Sequence, residues 1–241
     1  AFKKCTSLQK VEFPEGLKTI GTSAFSSCKT LTEVRLPRSL KEAGSYSFED
    51  CTGITSVWIP KGITKAYNTF EYCSNLKTVE FEEGIESIPE RLFGDCTGLE
   101  SIIIPETVTQ IEKAAFRDCT NLTSVILPEN LKGIQADAFY MCKNLKTTNI
   151  PEKVEELGEA VFRGCESLTT VYIPNSVTTM GSNMFSGCTS LKTVHLPEAY
   201  TEIPEYTFYN CDKLSDVNIP AGVEKIGHDA FYNCDALTEL D

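Results

Sequence analysis

The chain has 241 residues, of which 41% are hydrophobic and 23% charged, and this composition is typical of a folded protein rather than a disordered one. Its net charge of −12 repels nucleic acid and anionic membrane surfaces, so we expect neither as a partner. No apolar run approaches the roughly 20 residues of a membrane-spanning helix, and we therefore expect no direct membrane insertion.

Regularly spaced cysteines run from the first residues, "AFKKC", to the last turn of the chain. Each cysteine follows the previous one by 23 residues, except that Cys73 follows Cys51 by 22. The cysteines are Cys5, Cys28, Cys51, Cys73, Cys96, Cys119, Cys142, Cys165, Cys188, Cys211 and Cys234. A strict period of this length predicts a solenoid of stacked coils. The period covers residues 1–241, so we predict one domain of about ten coils.

Each repeat reads C-x-x-L-x-x-V-x-I-P-x-x-V-x-x-I-G-x-x-A-F-x-x, and its elements can be taken in order. In the unit that starts at Cys96, the alternation over residues 99–104 predicts a short half-buried strand. Pro105 ends that strand because it lacks an N–H, and Val108 and Ile111 then cover the far side of the coil. A Gly or Pro makes a second corner, and A-F-x-x-C suits one helical or 3₁₀ turn. The predicted class is an α/β solenoid with a parallel sheet.

The same stacking decides how the cysteines are interpreted. Successive coils place Cys on Cys with parallel Cβ vectors, roughly 5 Å apart rather than the ~3.8 Å typical of a disulfide. The chain has no C-x-x-C and no histidine pair, so the spacing of a zinc site is absent. We therefore predict a column of buried, reduced thiols, with no metal and no cofactor.

Three segments carry a family resemblance: "LTSVILP" (122–128), "SVTTMG" (176–181) and "AFRDC" (115–119). With these elements the whole chain resembles the BspA-like (Treponema-type) leucine-rich repeat family. The resemblance implies a right-handed, curved superhelix with its parallel sheet on the concave face. It also implies a bacterial surface or secreted protein that takes part in adhesion or protein binding.

One outward-facing column of the predicted strands contains the candidate ligand-binding residues. Those residues are Arg35, Trp58, Ile103, Ile126, Tyr172 and His195. Exposed aromatic and aliphatic residues in a contiguous strip are typical of interaction surfaces, and Trp and Tyr are common anchors in them. The alternative is that Ile, Tyr and Trp stand there for strand propensity alone. The column continues at both ends with polar residues and finishes at Asp241.

Catalysis is not expected, and the catalytic and metal sites are predicted as none. His195 could be imagined beside Thr170 and Asp216, but nothing in the sequence supplies an oxyanion hole or a water-excluding pocket. No Walker loop, G-x-G-x-x-G or H-E-x-x-H motif occurs, and no calcium-loop pattern accompanies the acidic pairs.

The function predicted on this basis is non-catalytic recognition or adhesion, outside the cell or at a bacterial cell surface, with a protein or peptide bound on the concave strip. Two alternatives stay open. One is a structural spacer array, and the other is a glycan-binding module that uses Trp58 and Tyr172. We expect a monomer, and we expect a fragment of a longer protein because neither end carries a polar capping unit.

Overall fold

The computed structural model describes residues 2–240, so Ala1 and Asp241, the two ends of the predicted domain, lie outside the described residues. About nine turns of short parallel strands stack around one continuous apolar core. The strands are β1 (Thr19–Ile20), β2 (Glu33–Arg35), β3 (Glu42–Ala43), β4 (Ser56–Ile59), β5 (Thr78–Phe81), β6 (Ser87–Ile88), β7 (Ser101–Ile103), β8 (Gln110–Ile111), β9 (Ser124–Ile126), β10 (Gly133–Ile134), β11 (Glu156–Leu157), β12 (Thr170–Tyr172), β13 (Thr179–Met180), β14 (Thr193–His195), β15 (Glu202–Ile203), β16 (Asp216–Asn218) and β17 (Lys225–Ile226). The solenoid is thus confirmed, with about nine turns in the described chain where about ten coils were predicted.

The first face of the solenoid consists of the strands that the alternating pattern predicts. They form three separate parallel sheets, β2–β4–β5, β7–β9 and β12–β14–β16. In most of these strands a buried valine or isoleucine lies between two exposed residues, as the alternation requires. The strand expected over residues 147–149 is reduced to a single bridge between Thr147 and Ser124.

A second face, which the sequence pattern does not predict as a sheet, contains the two-residue strands. Their sheets are β1–β3, β6–β8–β10–β11–β13 and β15–β17, all parallel. Each of these strands contributes only two residues, which is too short for an alternating pattern to appear in the sequence. The apolar pair that covers the far side of each coil therefore lies in or beside a strand.

The third face, called the turn face below, consists of the A-F-x-x-C segments, and here the helical prediction is wrong. No residue from 2 to 240 is helical, so the α/β class is wrong for the described chain. The Phe139 N–H donates to the carbonyl of Val161 in the next coil (3.0 Å), while the Cys142 N–H turns back to Phe139 (3.2 Å). Alternate N–H groups thus bond between coils, which leaves too few for a helix. Two residues per coil adopt left-handed backbone angles, for example Asp137 (φ 59°) and Met141 (φ 55°).

Backbone pairing on the turn face runs without a break from Phe2 to Tyr232. The two sheet faces are interrupted, but at different places. In the described chain, the first face lacks strand pairing between β5 and β7 and again before β12, whereas the second face lacks it before β6 and between β13 and β15. At each of these four gaps, the two neighbouring coils therefore remain paired through the backbone on the other sheet face and on the turn face.

The shortened unit between Cys51 and Cys73 lacks the corner residue that Gly44 supplies one coil earlier. In that coil the second-face strand shrinks to Lys65, which makes a single bridge to Glu42 and does not pair with β6. The missing residue therefore lies at the corner between the second face and the turn face.

Inside the coils the predicted columns stack in register. Neighbouring phenylalanine rings from Phe2 to Phe231 lie 5.0 to 6.1 Å apart and nearly parallel. All eleven cysteines are free and nine of them are buried, which confirms the reduced column. Each buried thiol donates to the carbonyl of a phenylalanine from an earlier coil, as Cys51 does to Phe25 at 3.1 Å. Burial raises the pKa of the Cys51 thiol to about 12, which keeps it protonated.

Candidate functional site

The outward column of the first face brings the six predicted site residues together as three pairs. Arg35 and Trp58 are register partners on β2 and β4. The Arg35 guanidinium carbon lies 4.3 Å from the centre of the Trp58 ring, in the geometry of a cation–π contact. The exposed Arg35 therefore covers part of the half-buried indole.

Two open cavities lie on either side of this first pair. One has a volume of about 680 Å³ and reaches Phe13, and the other has about 600 Å³ and reaches Phe81. Arg38 lines both and pairs with Glu82 through its Nε at 3.2 Å. Glu82 stands where the other repeats have proline, and its carboxylate also accepts the Lys61 N–H at 3.1 Å.

The second pair is aliphatic. Ile103 and Ile126 are register partners on β7 and β9, and they are 67% and 57% exposed. Ser101 and Ser124 lie beside them, also exposed, in the neighbouring outward column. This is an apolar patch bordered by hydroxyl groups.

The third pair is Tyr172 and His195, register partners on β12 and β14. Their ring centres are 6.1 Å apart, and Tyr172 is 48% exposed. Next to them, the Asn218 carboxamide accepts the Leu196 N–H at 2.8 Å and donates to the Leu196 carbonyl at 3.3 Å. This side chain holds the backbone of Leu196, the residue that follows His195, in place.

The three pairs do not merge into one apolar surface. Glu80 separates the first from the second, and Asn149 separates the second from the third. The same two places are the interruptions of the first face, so each pair lies on its own sheet. A ligand that contacts all three pairs would have to be elongated along the stack.

Nothing on this strip assembles the imagined catalytic group. Thr170 aligns with Thr193 and Asp216 in one column, while His195 lies in the next column between Tyr172 and Asn218. Over residues 2–240 no three side chains of His, Cys, Asp or Glu are grouped to hold a metal ion. That same stretch contains no helix with the length and apolar character needed to cross a membrane.

A buried ion pair on the turn face is not apparent from the repeat pattern. Glu71 is buried and accepts hydrogen bonds from Arg91 Nη1 (2.8 Å) and Asn68 Nδ2 (2.9 Å). Nearby, partial burial and the charges of Asp118 and Glu71 raise the pKa of Asp95 to about 6. Glu49 occupies the same position one coil earlier but is only partly buried, so the sequence does not distinguish the enclosed acid from its neighbour.

Four aromatic side chains of the turn face also escape the strand-based prediction. Tyr206, Tyr209, His228 and Tyr232 lie in contact near the C-terminal end of the described chain. The repeated "FYNC" at 208–211 and 231–234 is the sequence signal for Tyr209 and Tyr232.

The family follows from a comparison with known sequences. The profile of the BspA type leucine rich repeat region (6 copies) matches residues 1–123 and 109–238. The chain belongs to this family. The predicted resemblance is therefore confirmed.

Several solved structures of bacterial leucine-rich repeat proteins are similar to this chain. A leucine-rich repeat protein from Bacteroides ovatus is 32% identical over 99% of this chain, with a TM-score of 0.87, and the chain spans 61% of that protein's length. The T. pallidum leucine-rich repeat protein is 28% identical over 77% of this chain and 78% of its own, with a TM-score of 0.64. A leucine-rich cell surface protein from Faecalibacterium prausnitzii shares the fold at 23% identity over 93% of this chain and 83% of its own (TM-score 0.50). A search of curated proteins found no match.

Proposed function

We propose that this BspA-type solenoid is a non-catalytic recognition module that binds a protein or peptide along the exposed strip of the first face. The observation that carries the proposal is the exposure of Ile103, Ile126 and Tyr172 in one column of the first face, whose other outward residues are mainly polar or charged. Exposing three large apolar side chains in one column contributes nothing to the buried core, whereas it suits a partner that covers them.

A peptide fits the strip better than a sugar does. Sugars bind tryptophan by stacking on a free ring face, but Arg35 already lies over Trp58. An extended or helical peptide can instead place apolar side chains on the Ile103–Ile126 patch and polar groups on the bordering serines. The spacing of the three pairs along the stack favours such an elongated ligand.

A bacterial surface or extracellular location is part of the same proposal. Support comes from the family and from two proteins that share the fold, the F. prausnitzii cell surface protein and the pneumococcal vaccine antigen PcpA. We further propose that the chain acts as a monomer, since the strip would then be open to a partner.

The experiment is a binding screen against immobilised extracellular-matrix, serum and bacterial surface proteins. The wild type is compared with a strip variant in which four residues are changed to Ser: Trp58, Ile103, Ile126 and Tyr172. A matched control changes four exposed apolar residues elsewhere to Ser: Tyr46, Tyr67, Tyr72 and Ile226. Binding that the strip variant loses and the control keeps would support the proposal.

Equal binding by the folded strip variant would place the contact on another face and contradict the proposal. A wild type that binds no protein in the screen would favour the spacer. Circular dichroism and thermal unfolding of all three proteins show whether a loss of binding reflects a loss of fold.

A further inference from the structure

Four aromatic side chains form a connected cluster on the turn face, away from the strip. Tyr209 and Tyr232 stack at 4.9 Å between ring centres, and Tyr206 meets Tyr209 edge-on at 5.8 Å. The His228 ring lies 5.5 Å from Tyr206. We call these four residues the tyrosine cluster.

Neither the core nor strand propensity explains the tyrosine cluster. Its members lie outside the strands, and Tyr232 is 49% exposed. Tyr206 holds a left-handed backbone (φ 56°), a conformation that bulky residues disfavour and that Asn183 occupies one coil earlier. Tyr206 therefore opposes the local backbone preference without filling the interior, and it differs from Tyr46, at the same position of an earlier coil, in its ring contacts with Tyr209 and His228.

Two asparagines adjoin the cluster in the chain, and their carboxamides are bonded to each other. Asn210 and Asn233 lie next to Tyr209 and Tyr232 in the chain, and Asn233 Nδ2 donates to Asn210 Oδ1 at 2.9 Å. Amide and phenol groups both donate and accept hydrogen bonds, which matches the hydroxyl groups of a sugar. The ring surfaces match the apolar C–H faces of a pyranose.

The charged residues near the cluster favour neutral over acidic sugars as the ligand. Residues 205–212 and 228–235 contain no lysine or arginine, whereas Glu205, Asp212, Asp229 and Asp235 are acidic. His228 is the one potential cation in these segments, and its Nδ1 lies 3.3 Å from an Asp229 carboxylate oxygen. Sulfated or uronic-acid sugars would meet this acidic border without a compensating cation.

We propose that the tyrosine cluster is a binding surface for neutral saccharides, separate from the protein-binding strip. The saccharide packs on the exposed surface of Tyr232 and Tyr206, and the Asn210 and Asn233 carboxamides bind its hydroxyl groups. The site needs no metal and no chemical step.

The test is a glycan array that spans neutral and acidic oligosaccharides of the common hexoses, hexosamines and deoxyhexoses, followed by calorimetry on the hits. We expect neutral sugars to bind, and we expect Tyr206→Ala and Tyr232→Ala each to weaken binding roughly tenfold or more. Tyr46→Ala is the matched control, because Tyr46 occupies the Tyr206 position in an earlier coil with a similar backbone (φ 60°). This control should bind sugars as the wild type does.

Three results would overturn the proposal: no neutral sugar bound, preference for acidic sugars, or full binding by a folded Tyr206→Ala protein. Tyr206→Phe guards against misfolding, since it keeps the ring and should retain most of the affinity. The four-residue strip variant should bind sugars normally. Failure of the peptide proposal and failure of this one can therefore be told apart.

Discussion

The phenylalanine stack allows a quantitative prediction at its centre. Phe139 is 1% exposed, and its ring lies 5.5 Å from Phe116 and 5.8 Å from Phe162. Phe139→Ala removes both ring contacts and leaves a cavity that the stacked backbone cannot easily close, because its N–H is bonded to the next coil.

The expected cost follows from those contacts. Replacing a buried phenylalanine by alanine costs about 3–5 kcal/mol. The two stacked ring pairs place this site above the lower end of that range, since each aromatic pair contributes about 0.5–1.5 kcal/mol beyond its buried area. We expect a loss of about 4 kcal/mol, which for a chain of this size corresponds to a fall in melting temperature of roughly 10 °C.

The assay measures the free energy of unfolding in urea, monitored by circular dichroism, and Phe2→Ala is the control. Phe2 is 53% exposed and has one stacked neighbour, Phe25, at 5.1 Å, so its replacement should cost about 1 kcal/mol. Coils contact only their neighbours, so the central variant should also broaden the transition or split it in two. Equal losses for the two variants would show that the rings do not act as a continuous stack.

Three further predictions concern backbone packing, thiols and pH. Gly158→Ala should destabilise the protein by about 1–3 kcal/mol in thermal unfolding, because a Cβ there would lie 2.3 Å from a backbone nitrogen. Gly21→Ala is the control and should be nearly neutral, because a Cβ there would have nothing within 4 Å. A larger loss for Gly21→Ala than for Gly158→Ala would contradict the close packing of the coils. When the native protein is labelled with iodoacetamide and analysed by mass spectrometry, Cys5 should be modified first, because it is exposed while burial raises the pKa of Cys234 to about 11. Early labelling of the nine buried cysteines would contradict an enclosed cysteine column. Because the pKa of Asp95 is raised from 3.8 to about 6, folding binds extra protons between these values and stability falls as pH rises through them. Asp95→Asn should therefore raise the melting temperature at pH 7.5 but not near pH 4, and a gain of equal size at both pH values would rule out this cause.

The period in the sequence predicts the core more completely than the faces. Each column residue is forced onto its equivalent in the next coil, so Phe139 on Phe162 and Cys51 near Cys73 follow from the spacing alone. The second face could not be predicted in this way, since β10 and its neighbours are only two residues long. The interruptions of the two sheets depend on small offsets between coils, and the repeat pattern contains no information about those offsets.

The turn face was predictable in part. Asp, Asn and Gly recur immediately before the cysteines, as at Asp118, Gly187 and Asn210, and these residues favour left-handed backbone over helix. The A-F-x-x-C spacing within one coil favours a helical turn, but it contains no information about the hydrogen bonds to the next coil that replace the helical ones.

In the candidate site, too, the sequence predicts some features, while others depend on contacts between coils. The outward direction of Ile103 and Tyr172 follows from strand alternation and is confirmed by their exposure. Their separation onto different sheets, and the contact of Arg35 with Trp58, depend on side-chain conformation and on strand pairing between coils. The tyrosine cluster lies outside the strands, so strand alternation does not predict it.

On the two sheet faces, the gaps in strand pairing lie between different pairs of coils, and this arrangement has a mechanical consequence. A force pulling the ends of the molecule apart would have to break ladders on at least two faces at each of the four gaps, because the turn-face pairing continues past every one of them. The shortened coil at Lys65 is therefore not a built-in fracture plane, since the first-face strands β4 and β5 remain paired beside it. A rod made in this way should extend by separating coil by coil from its ends rather than by snapping in the middle.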